Sequence, residues 1–131
     1  MRLNDLAPTT FSLELITPAG TKTGVFVELV GMDSKPFVDG IKKTQAAAQN
    51  ADAAGKKLST DQKQRLSAET LAGCIVGWTG LSDEDGNPLP HSYDKALEIL
   101  LDPRFTWINQ AVDGAIETRQ NFFRPNEIKA V

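Results

Sequence analysis

Two short stretches near the N-terminus alternate apolar and polar positions, and beyond them the apolar spacing changes to three and four. FSLELIT at 11–17 sets Phe11, Leu13 and Leu15 against Ser12, Glu14 and Ile16. GVFVELV at 24–30 sets Val25, Val27 and Leu29 against Phe26, Glu28 and Val30. A period of two in residues rich in β-branched and aromatic side chains predicts strands. PAGTKT lies between them, with Pro18 and Gly20 placed for a turn. The first 31 residues therefore read as a β-hairpin. A lone hairpin is marginal in water, so it must pack on later segments of the chain.

Helical patterns occupy the rest. Ser34 is a good N-cap and Pro36 suits a first helical turn, where a missing N–H costs little. Phe37, Val38 and Ile41 give that helix a short apolar start, but KKTQAAAQNADAAGKK has helix formers and almost no bulky apolar residue. Such a helix buries little, so it is expected at the periphery, stopping at Gly55. Ser59 and Gln62 have capping-box spacing at the start of a second helix, read through to Trp78 on the stripe Leu71, Cys74, Ile75 and Trp78. Ser92 caps a third, with Tyr93, Ala96, Leu97, Leu100 and Leu101 on one face. Asp102 and Pro103 open the last, along Phe105, Ile108, Val112, Ala115, Ile116, Arg119 and Phe122, with Pro125 as its stop. The expectation is an α+β protein in one domain over 1–131. It comprises a hairpin portion at 1–31 and a helical portion of about four helices at 34–131.

Bulk properties narrow the chemistry. At 131 residues the chain can bury a core without a metal or disulfide staple. A net charge of −3 argues against general nucleic-acid binding, and a single cysteine rules out an internal disulfide. No stretch approaches the ~20 apolar residues of a membrane span. The first seventeen residues lack the apolar core of a signal peptide, so a cytosolic location is expected. Charge is distributed unevenly. Residues 42–65 hold six bases, Lys42 and Lys43 among them, and two acids. Residues 82–102 hold six acids and one base. Opposite ends of neighbouring copies would attract, favouring head-to-tail association.

Candidate chemistry is sparse. His91, the sole histidine, sits in a turn before a helix cap, and Cys74 lies on an apolar stripe; neither has partners for a catalytic unit or a zinc site. GTKTG at 20–24 lacks phosphate-loop spacing and joins two antiparallel strands. The run Asp83-Glu84-Asp85-Gly86 invites a calcium reading. Aligned on Gly86 as position six of an EF-hand loop, position one becomes Leu81 and position twelve Ser92, so two essential ligands are missing. Asp85-Gly86 instead reads as a tight turn, with Pro88 and Pro90 keeping the chain extended up to Ser92. The aromatics are the remaining candidates. Trp78 ends one apolar stripe and Trp107 is offset from the main stripe of the last helix. Core packing is the default for both, and a ring left exposed at Trp107 would anchor a partner.

The run from Leu71 to Phe123 resembles tail assembly chaperones of long-tailed bacteriophages. The resemblance rests on Trp78, Gly80, Asp85-Gly86, Pro88, Ser92, Leu97, Leu100, Leu101 and a terminal Phe122 or Phe123. The opening FSLELITPAGTKTGVFVELVG is similar too, whereas residues 42–66 match little. The resemblance implies a non-enzymatic protein without cofactor or metal. Such a protein binds and solubilises the tape-measure protein, helps recruit the major tail protein, self-associates, acts in the host cytoplasm and is absent from the mature virion. Neither nucleic acid nor membrane is expected as a partner. Candidate partner-binding residues are Trp78, Trp107, Phe123, Asp83, Glu84, Asp85, Lys42 and Lys43. The alternative is a structural head–tail joining or tail-terminating protein that stays in the particle.

Overall fold

The computed structural model describes residues 1–123. Strands β1 (Phe11–Ile16) and β2 (Lys22–Leu29) form the expected hairpin, followed by helices α1 (Lys35–Ala53) and α2 (Thr60–Cys74). A third strand, β3 (Ile75–Thr79), then precedes helices α3 (Tyr93–Leu101) and α4 (Thr106–Glu117), with short 3-10 turns at Pro103–Phe105 and Arg119–Phe122. The result is a mixed α+β protein with an antiparallel sheet in the order β1-β2-β3.

Caps set the first three helix starts where the sequence placed them; the last differs, because Asp102 caps a 3-10 turn at Pro103–Phe105 and α4 begins only at Thr106. Ser34 Oγ accepts from the Phe37 N–H at 3.5 Å, and Ser92 Oγ from the Lys95 N–H at 3.0 Å. Ser59 and Gln62 close a reciprocal capping box. As expected of its Ala-rich sequence, α1 buries no residue; it lies outermost, packed on α2.

Two further expectations are corrected. The second helix does not reach Trp78: it ends at Cys74, and residues 75–79 pair with β2 instead. Strand β3 thus lies within the portion read as mostly helical, in a segment that the apolar spacing assigns to the second helix. Ile75, Val76, Trp78 and Thr79 are all good strand formers, and pairing with β2 outweighs an apolar spacing equally compatible with a helix turn. The last helix is also not continuous to Phe123, because α4 ends at Glu117 and a 3-10 turn carries Phe122 back to the sheet. Its expected stop, Pro125, lies outside the described residues.

The core sits between one sheet face and the helices. Leu15, Val27, Leu29 and Ile75 project into it from the sheet, meeting Leu71, Leu97, Val112 and Ile116 from the helices. Phe122 is 1% exposed and stacks edge-on to Phe11 at 5.9 Å. Burying a ring this fully stabilises by about 1.5–3 kcal/mol. Gly31 makes room for it, since a Cβ there would stand 2.5 Å from the Phe122 ring. Gly80 ends β3 at φ +82, where a side chain would strike the Gly24 carbonyl oxygen. Burial pushes the Cys74 thiol up to about 11, outweighing the opposite pull of its hydrogen bond with Ser34.

Candidate partner-binding surface

The acidic stretch is a compact, self-satisfied turn. Asp83 Oδ1 accepts from the backbone N–H groups of Asp85 and Asn87, both at 2.9 Å, and Ser82 bridges to Pro88 across its base. Gly86 takes φ +84, as the tight turn requires. Asp83 therefore directs one of its two carboxylate oxygens at its own backbone. Among the described residues no group of three or more His, Cys, Asp or Glu is placed to hold a metal ion.

The same segment is fastened to β3. Trp78 Nε1 donates to the Leu89 carbonyl at 2.8 Å, and its ring meets His91 edge-on at 4.9 Å. His91 Nε2 lies 3.0 Å from the Ile75 carbonyl, and a carbonyl only accepts, so this nitrogen carries the proton. Pattern reading missed this clamp, because it depends on β3 being a strand. A lone histidine thirteen residues after a tryptophan carries no such signal.

Beside the clamp lies a cavity of about 90 Å³ between the sheet and the last two helices, lined only by apolar side chains that include Val25, Trp78, Leu81, Ile99, Phe105 and Ile108. It offers no polar partner for a water molecule and no titratable group for catalysis. Near it, Asp102 caps the turn at Pro103–Phe105 and binds the Arg104 guanidinium at 2.7 Å. Those hydrogen bonds to Arg104 hold the Asp102 carboxyl below its ordinary range. They also raise the Arg104 guanidinium, with Glu84 of the acidic turn adding to the effect. A second cleft of about 540 Å³, of mixed polar and apolar lining, runs between α2, the end of α3 and α4, past Lys63, Gln64, Leu101 and Asn109.

The candidate residues do not gather in one site. Trp78 is partly buried against the core beside the exposed Asp83, Glu84 and Asp85, so these four share one region. Trp107 is likewise partly buried against the core, the arrangement expected by default for both tryptophans, while Phe123 remains 38% exposed. Lys42 and Lys43 lie on α1, away from the acidic turn; Lys43 pairs with Glu69 of α2 at 3.3 Å, and Lys42 points outward.

What these features define is a small α+β protein whose distinctive parts are surfaces and a stiff turn. Comparison with known families agrees with a viral origin. The model of the family described as YdaY prophage protein matches residues 32–124, well over half of the chain, and the chain belongs to that family. No curated protein and no solved structure matches it.

Proposed function

We propose that this prophage protein is a tail assembly chaperone. It would bind and solubilise the tape-measure protein in the host cytoplasm, help recruit the major tail protein, and be left out of the finished virion. The reading rests on the resemblance to phage tail chaperones, and the family match adds a phage origin for the same part of the chain. The family match at 32–124 spans the same tryptophan, acidic turn and helices that resemble phage tail chaperones. The reading assigns no enzymatic activity.

The surface chemistry supports it. A long helical client is best held by many weak contacts repeated along its length, which several copies supply better than one deep site. Apolar side chains left exposed, among them Leu101 and Phe123, are available for such contacts.

Co-expression with the tape-measure protein of the same phage genome tests the proposal. The client should become soluble and co-purify with this chain. A client that stays insoluble, with no complex recovered, removes the chaperone reading. Finding the chain in purified virions by mass spectrometry would favour a head–tail joining or tail-terminating component instead.

A further inference from the structure

The helices cover one face of the sheet, and the described residues leave the other open. Register places Glu14, Phe26 and Thr79 in one row across the strands, and Ser12, Glu28 and Gly77 in the next. Phe26 is 40% exposed, and Ile16 and Val76 are each 47% exposed. The open face thus sets the exposed apolar Ile16, Phe26 and Val76 among Ser12, Thr79 and two carboxylates, and Lys22 stands at its rim opposite Ile16.

The outermost helix carries the other uncovered apolar ground. Phe37, Gly40, Thr44, Ala47 and Ala51 of α1 form the partly covered stripe, with Gly40 set directly against Thr70 of α2. Val38 and Ile41 lie to the side of that stripe, 42% and 40% exposed, and Lys42 adjoins them.

We propose that α1 of one copy docks on the open sheet face of a second copy, with Val38 and Ile41 against Phe26 and Val76 and with Lys42 beside Glu14 and Glu28. A sheet face is stably buried when a helix layer lies on it, and this contact supplies the missing layer. The charges are complementary. They also disfavour the symmetric alternative, since packing two open sheet faces together would bring four carboxylates into one interface with only the rim Lys22 of each copy to offset them. Three strands of five to eight residues present about 300 Å² at ordinary strand spacing. That is well under the ~800 Å² per partner of a stable interface, so each contact is weak and concentration-dependent. The two surfaces differ, so the contact is heterologous and propagates into rings or open chains.

Sedimentation velocity of the full chain over a concentration series tests this, with Phe26→Glu and Ile41→Glu variants. The wild type should associate as concentration rises. Each variant alone should associate at least tenfold more weakly. An equimolar mixture should recover a dimer and stop there, because the first variant keeps its helix and the second its sheet. The proposal is overturned by a wild type that stays monomeric, by an Ile41→Glu chain that associates normally, or by a mixture that remains monomeric. Circular dichroism checks folding, and Phe26→Ser and Ile41→Ser replace any glutamate variant that unfolds. No client protein enters the assay, so a negative result leaves the chaperone proposal standing, and the co-expression test judges that separately.

Discussion

At the scale of single residues, the same side-chain type does different work according to what packs on it. Trp78 and Trp107 were candidates for a partner only if they escaped core packing; both lie partly against the core, and the Trp78 N–H is committed to the Leu89 carbonyl. Cys74 was legible as a buried thiol because it lies on an apolar stripe, and it is 0% exposed. Its titration gives a prediction with a definite sign. The folded thiol ionises near 11 rather than the ordinary 9.0, so the native state holds its proton more tightly than the unfolded chain. Stability from this group is intact below pH 9 and falls as pH rises toward 11, by about 2–3 kcal/mol at the upper end. Urea melts across that range should show a loss that is reduced in Cys74→Ala, where no thiol remains to ionise. A pH dependence identical in the two proteins would refute it.

Among the elements, caps and turns were readable and the junction at Cys74–Ile75 was not. Ser34, Ser59 and Ser92 begin helices because a side-chain oxygen there satisfies a local N–H, and that interaction needs only the neighbouring residues. Strand β3 needs β2, which lies more than forty residues earlier in the chain. Leu71, Cys74, Ile75 and Trp78 fit a helical stripe as well as they fit a helix followed by a strand, so period alone could not separate the two. His91 helps hold the strand in place through the Ile75 carbonyl and the Trp78 ring. His91→Ala should therefore cost about 1–2 kcal/mol, the range for a lost hydrogen bond plus an aromatic contact. Native-state hydrogen exchange should quicken at Ile75–Thr79 more than in α1. Uniform or unchanged protection would show that the clamp contributes nothing to β3.

Considered as a whole molecule, the chain sorts its charge between its parts. The bases gather along α1 and the start of α2, and the acids gather in the turn at 83–85 and along α3. Within one copy some of these charges are already paired, as in Lys43–Glu69 and Lys95–Glu98. Others, such as Lys42 and the carboxylates of the acidic turn, face solvent. Any association between copies that rests on them should weaken with salt, because the screening length falls from about 10 Å at 0.1 M to about 3 Å at 1 M. Sedimentation at the two salt concentrations should show a several-fold rise in the dissociation constant. An unchanged constant would leave apolar burial as the sole driving force.

Local chemistry alone determined the hairpin, the first three helix starts, the α+β class, the tightness of the turn at 83–86 and the outer position of α1. Each of these depends on residues within a few positions of one another, or on how little apolar surface a segment has to bury. Only the tertiary structure decided that residues 75–79 join the sheet, that Trp78 and His91 clamp the acidic turn, that Phe122 returns to fill the space beside Gly31, and that one sheet face stays open. Those outcomes depend on contacts between residues distant in sequence, and pairing energy across such distances leaves no periodic trace in the chain.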